Sequence, residues 1–245
     1  MASPKRLILA GIATLIIGLI STFPARVAYQ WFAPGELKLG GISGSIWRGA
    51  AAQGSAGGVY LTNIKWRFRP LGLLTGKLQF ATSSNPASGF FDADIALGAG
   101  GSFTLSDVAA AVPLSALADA FPLSGIEGDV SLQFEELVIK GGVPVEATGT
   151  INIANLVSRY LAPTPLGDFR AEFQTADDGI LGSVEAVSGV LELAGTIRLT
   201  QDRNYKFVGQ VAAKPNAPLS ITQQLQFLGT PNSRGQREFR LEGQL

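Results

Sequence analysis

Gly128-Asp129-Val130-Ser131-Leu132-Gln133-Phe134, followed by Glu135-Glu136 and Leu137-Val138-Ile139, is the stretch that decides how this chain folds. Successive side chains of a β-strand point to opposite faces, so Val130, Leu132 and Phe134 share one face while Asp129, Ser131 and Gln133 take the other. Glu135-Glu136 then interrupts the alternation, which predicts a β-bulge before the apolar run resumes. The same pattern, a Gly and one residue followed by alternating apolar positions, recurs at Gly44-Ser45-Ile46-Trp47, Gly76-Lys77-Leu78-Gln79-Phe80 and Gly101-Ser102-Phe103-Thr104-Leu105. It returns at Gly149-Thr150-Ile151-Asn152-Ile153 and Gly195-Thr196-Ile197-Arg198-Leu199. Each leading Gly is expected to relieve a tight turn or bend where its strand begins. The reading is a mostly β body: a curved antiparallel sheet with one covered face and one wetter face.

A few short helices are expected to interrupt that sheet. Ser106 can cap the segment 107–111, and Pro113 sits near the start of 114–120. Pro218 and Ser220 introduce 221–228, with Gly229 as its stop, and 155–161 reads as another single turn. Residues 82–88 read as a loop, and Asp177-Asp178-Gly179 as a hairpin turn.

The N-terminus has a different character. Lys5 and Arg6 precede the uncharged run 7–23, LILAGIATLIIGLISTF, whose apolar anchor residues are Leu7, Leu9, Ile12, Leu15, Ile16, Ile17, Leu19, Ile20 and Phe23. Seventeen helical residues span roughly 26 Å against a hydrocarbon core of about 30 Å. The segment is therefore expected to be a single transmembrane helix at the short end of the usual range, extended by Pro24, Ala25 and the residues after them. Arg26, Tyr29 and Trp31 then lie at the far interface, where an Arg can snorkel and aromatic rings favour the headgroup level. A cleaved secretory signal competes with this reading, but the apolar run exceeds the usual signal core and no clear small-x-small site follows it. Positive-inside bias puts Lys5 and Arg6 in the cytoplasm. Residues 1–32 thus form the cytoplasmic tip, inner-membrane anchor and interfacial segment, and 33–245 a periplasmic β-rich domain.

Composition removes most chemistry. The 245 residues contain no Cys and no His, so thiolate catalysis, disulfides and histidine-based proton transfer are unavailable. Nineteen basic residues balance nineteen acidic ones, which leaves no overall field to draw nucleic acid. Residues 72–78 superficially resemble a phosphate loop but are one residue short between glycines and end in Leu where Ser or Thr is required. Asp92/Asp94 and Asp177/Asp178 supply too few oxygens for a Ca²⁺ site. Arg234, Arg237 and Arg240 alternate with Glu238 and Glu242 on what reads as a solvated strand. The expectation is no enzyme activity, no cofactor and no metal. One segment stands out as a candidate interaction strand: Ile64-Lys65-Trp66-Arg67-Phe68-Arg69-Pro70. It sets Ile64, Trp66 and Phe68 opposite a basic strip of Lys65, Arg67 and Arg69, which suits an anionic partner or a membrane surface. Trp66 and Trp47 themselves read first as core rings.

In their order and spacing these segments resemble the family of general secretion pathway protein N, of the type II secretion system. The likeness runs through Phe23-Pro24-Ala25-Arg26-Val27, then Gly41-Ile42-Ser43-Gly44-Ser45-Ile46-Trp47-Arg48-Gly49, then the Trp66 strand with Leu73-Leu74 and Gly76-Lys77-Leu78. It continues through Gly149-Thr150-Ile151-Asn152, Pro165-Leu166-Gly167-Asp168 and Leu225-Gln226-Phe227-Leu228-Gly229-Thr230-Pro231, and closes on Gly235 and Gly243-Gln244-Leu245. The resemblance implies a non-catalytic accessory subunit that helps export folded proteins across the outer membrane, with the inner-membrane platform and the secretin as partners. It also suggests kinship with AsmA-like envelope proteins, and hence an alternative function as a periplasmic lipid-binding or lipid-transfer protein.

Overall fold

The computed structural model describes residues 4–32, 37–86, 88–98, 101–118 and 125–244. Two helices open the chain: α1 (Pro4–Ser21) and α2 (Ala25–Phe32). The strands that follow are β1 (Leu37–Gly40), β2 (Ser43–Gly44), β3 (Arg48–Ala56), β4 (Val59–Arg69), β5 (Leu78–Pro86), β6 (Phe90–Leu97) and β7 (Phe103–Pro113). After them come β8 (Ile126–Lys140), β9 (Val143–Ser158), β10 (Ala162–Ala176), β11 (Gly179–Ala186), β12 (Leu191–Thr200), β13 (Asn204–Ala213), helix α3 (Leu219–Leu225) and β14 (Arg237–Gln244). All fourteen strands belong to one antiparallel sheet. From β3 to β14 each pairs with its neighbours in the chain, while β1 and β2 both pair with β3.

The sheet curls. Arg203, in the turn between β12 and β13, donates from Nη2 to the Gly141 carbonyl in the turn between β8 and β9, at 3.1 Å. On a flat sheet those turns lie four strand spacings apart, about 19 Å. The apolar face is the inner one: Ala93 on β6, Val108 on β7, Phe134 on β8, Ala147 on β9 and Ile180 on β11 form one buried cluster across it. Three non-glycine residues with positive φ, Asn63 (51°), Asp107 (51°) and Asn155 (53°), lie at or beside register shifts in β4, β7 and β9. Asn and Asp tolerate that region better than other side chains, and bulges of this kind bend and twist a strand.

Much of the sequence reading holds. Val130 and Phe134 are buried, the register shifts between Phe134 and Glu136, and Asp177-Asp178 is the two-residue turn joining β10 to β11. Pro218 precedes α3, which passes into a 3₁₀ turn at Gln226–Leu228 before Gly229. Gly76, in the false phosphate loop, simply ends a 3₁₀ turn over Pro70–Thr75.

Other expectations are corrected. The segments 107–111 and 155–161 are not helical. Ser106 and Asp107 lie inside β7, where Asp107 is a bulge residue, and β9 runs through the bulge residue Asn155 to Ser158 before a short turn. Only Leu114–Leu117 of 114–120 forms a 3₁₀ turn, and residues 119–120 lie outside the described ones. Residues 82–86 belong to β5 and not to a loop, with Thr82 and Ser84 on the face of Phe80 and Ser83 on the other; residue 87 lies outside the described ones. Gly149 and Gly195 do not begin strands. They lie inside β9 and β12, where a Cβ would strike the rings of Phe134 and Phe207, so their role is close cross-strand aromatic packing.

The N-terminal helix also differs from expectation. It ends at Ser21 and does not continue through Pro24, because Pro24 bridges to Ser45 and the Ile46 amide donates to the Phe23 carbonyl at 3.0 Å. Its apolar portion, residues 7–21, is about 22 Å long. Among the described residues no helix is long and apolar enough to cross a membrane. Its large apolar side chains are nonetheless exposed, from Leu9 (73%) to Ile16 (49%).

Candidate functional site

Two depressions lie back to back on the N-terminal half of the sheet, one on each face. The inner one is an apolar trough of about 630 Å³. Its walls come from Leu39 on β1, Leu61 and Ile64 on β4, Ile95 on β6 and Val112 on β7, and α2 closes one end with Ala25, Ala28 and Tyr29. The Tyr29 hydroxyl donates to the Leu37 carbonyl (3.1 Å) and accepts from the Leu39 amide (3.0 Å), which ties α2 to the edge of the sheet. Ser84 lines the trough too. Its Oγ is buried and has no hydrogen-bond partner, an unusual arrangement for a hydroxyl in an apolar setting.

The outer depression, about 700 Å³, carries charge. Strand pairing builds it in two rows. Arg48, Arg67, Ala81 and Asp94 lie side by side across β3 to β6, and Ala50, Lys65, Ser83 and Asp92 form the row beside them. The small Ala81 and Ser83 make the floor. A basic wall on β3 and β4 therefore faces an acidic wall on β6 across two strand spacings, about 10 Å. Arg69 reaches over and binds Asp94 (Nη2 to Oδ1, 3.0 Å), and Gln79 Nε2 donates to the other carboxylate oxygen at 3.4 Å. Asp94 is only 6% exposed. Burial pushes its carboxyl above the ordinary carboxylate range, Arg69 draws it back, and nearby Asp107 adds to the rise.

The sequence-derived residues fall into place around these features. Lys65, Arg67 and Arg69 do share an exposed face opposite the half-buried Ile64, Trp66 and Phe68. What the sequence reading missed is that acidic residues face the strip, because the β4–β5–β6 register that brings Asp92 and Asp94 opposite it depends on the bulge at Asn63. Trp66 separates the two depressions, its indole donating to the Ser45 carbonyl at 3.2 Å. Trp47 packs edge-on against Phe68 (4.8 Å between centroids), and its Nε1 donates to the Ile20 carbonyl at 2.7 Å, joining the end of α1 to the sheet. Arg26 is exposed; Trp31 is 68% exposed and lies 6.0 Å from the ring of Phe23. Among the described residues Arg234, Arg237 and Arg240 form no cluster with the outer pocket, and Arg240 pairs with Glu238.

These features define a class: an open-sheet β protein with an exposed apolar helix fixed to one end of the sheet. Comparison with known proteins makes the assignment particular. The family described as "Type II secretion system (T2SS), protein N" matches residues 35–240, and the chain belongs to that family. It is similar to the Type II secretion system protein N of Aeromonas hydrophila, with 23% identity over 97% of this chain and 96% of that protein. It is similar also to the protein of the same name from Vibrio cholerae serotype O1, with 27% identity over 94% of each. No solved structure matches the chain significantly.

Proposed function

We propose that this protein is a non-catalytic accessory subunit of the type II secretion pathway, held at the inner membrane by α1, with residues 33–245 in the periplasm. The observation that carries the reading is full-length similarity to proteins of that name, joined to an apolar helix exposed on every side and fixed to one end of a binding-type sheet. A helix apolar all round has no stable place in water. Its shortness is met by thinning of the bilayer and by snorkelling of Lys5 and Arg26. The inner-membrane platform and the secretin are the partners this reading implies.

Deletion of the gene should leave folded exoproteins stranded in the periplasm while their delivery there stays normal; unimpaired release would contradict the role. For the anchor, Leu15→Arg should cost about 2.5–3.5 kcal/mol of insertion free energy. The variant should then appear in the soluble fraction, and unchanged sedimentation with membranes would refute the anchoring.

The apolar trough favours a second reading, a periplasmic lipid-binding role in which a hydrocarbon chain lies along the inner face. Native mass spectrometry of gently purified protein should then show retained phospholipid, lost when Ile95→Asp places a charge in the trough. Protein that carries no lipid would count against it.

A further inference from the structure

The charged outer pocket holds more basic groups than its own acids satisfy. Among the described residues Arg69 is paired with Asp94, whereas Arg48, Lys65 and Arg67 form no ion pair and neither do Asp92 and Asp107. Arg48 and Arg67 are directly opposite each other on paired strands, an arrangement that destabilises a sheet unless something negative lies between or over the two. In the neighbouring row Asp92 points to the same face as Lys65 across the small Ser83, and Asp107 is turned toward the pocket by its bulge. The two walls do not close on each other. They leave a gap with cation-binding oxygens on one side and anion-binding nitrogens on the other.

The location of the pocket narrows the choice of ligand. Ser43 and Gly44 on its rim belong to the segment 43–48, which is tied to the end of α1 through the Pro24–Ser45 bridge and the Trp47–Ile20 hydrogen bond. If α1 is inserted in the bilayer, as proposed above and as this inference requires for its lipid source, the pocket opens at the level of the lipid headgroups.

From this geometry we infer that the outer pocket binds an ethanolamine phosphodiester, the headgroup of a zwitterionic membrane lipid. Arg48, Lys65 and Arg67 take the phosphate, and Asp92 and Asp107 take the ammonium two carbons away. Guanidinium groups suit phosphate oxygens through paired N–H donors, and a primary ammonium offers three donors to carboxylates. A trimethylated ammonium offers none, and a glycerol headgroup lacks the cation.

The test uses the full chain in an uncharged detergent, titrated with glycerophosphoethanolamine, glycerophosphocholine and glycerophosphoglycerol, with binding followed by Trp fluorescence and calorimetry. These soluble compounds have no acyl chain, so the inner trough does not contribute. The ethanolamine compound should bind at least about tenfold tighter than the other two. Asp92→Asn should abolish that preference, Arg67→Gln should weaken binding of all three about tenfold, and Arg198→Gln, on a distant strand, should change nothing. Equal binding of the three compounds, no binding, or indifference to both pocket variants would overturn the inference. Tighter binding of a polyglutamate peptide, unaffected by Asp92→Asn, would overturn it in favour of an acidic protein partner. A second arm compares vesicles of phosphatidylcholine with vesicles in which half of it is replaced by phosphatidylethanolamine, using a Trp31→Phe, Trp47→Phe chain so that the fluorescence reports Trp66. Selective response to the vesicles containing phosphatidylethanolamine supports the lipid source; a response to the soluble compound but to neither vesicle overturns that source. The detergent arm does not depend on membrane insertion, so failure of the anchor in fractionation and failure of the pocket in titration are separate results.

Discussion

The two halves of the sheet obey the same alternation and end in different states. On the C-terminal half, α3 lies against the inner face. Ile221 is 2% exposed and packs with Leu166 (2%), Leu191 (7%), Phe169 (9%) and Val211 (5%), while Gln224 Nε2 fixes the helix to the Tyr160 carbonyl at 3.0 Å. On the N-terminal half no helix among the described residues covers the inner face of β4 to β6, and the equivalent surface is a trough edged by α2 and the 3₁₀ turn at Leu114–Leu117. An apolar face is therefore a core or a binding surface according to what covers it, and a single helix of about two turns decides which. The open half is also the one joined to α1.

The contrast can be broken most severely at the lid of the closed half. Ile221→Ala should cost about 2–5 kcal/mol, because it empties a fully enclosed site. Hydrogen exchange should then quicken in β10 to β14 while β4 to β7 keep their protection. In the open half, Ser84→Ala should stabilise by about 1 kcal/mol in thermal unfolding, since it removes a buried hydroxyl without a partner. A loss there would mean that the hydroxyl is satisfied in solution. Leu61→Ala, on the half-buried wall of the trough, should cost about 1 kcal/mol, well below Ile221→Ala.

The smallest effect is expected at Asp168, which bridges the closed half by accepting from the Ser188 hydroxyl (2.6 Å) and the Asn155 amide (2.8 Å). The Ser188 bond, then the Asn155 bond, holds its carboxyl below the usual value of 3.8. Stability from this group is present above that value and is lost as pH falls through the lower folded value. Asp168→Asn should therefore flatten the acid limb of the stability profile, and an unchanged limb would remove Asp168 from the account.

How much of this was legible in the sequence follows from what each signal depends on. Period-2 alternation survives in strands such as β8 and β12, where Val130 and Phe134, or Ile197 and Leu199, show their face directly. It misleads where one Asn or Asp adopts positive φ: the bulges at Asp107 and Asn155 break the alternation, so 107–111 and 155–161 read as helical turns although they lie largely in strands. α3 was legible because Pro218 and Gly229 punctuate it. The basic strip of β4 was visible, but its acidic counterpart was not, since pairing between Arg67, Ala81 and Asp94 is set by register across three strands. The trough was hidden for a related reason. Alternation marks an apolar face, and nothing local says whether a helix two hundred residues from the start of the chain will cover it or stop short.

The chain contains no Cys, so single cysteines can report on the inner face without interference. Modification of Leu61→Cys in the trough and of Leu191→Cys beneath α3 by a water-soluble maleimide, in the folded full chain, tests the central claim most directly. Leu191→Cys should react at least about a hundredfold more slowly, because its thiol is reached only through local opening. Similar rates at the two positions would mean that both halves are covered, or both open, and would contradict the account.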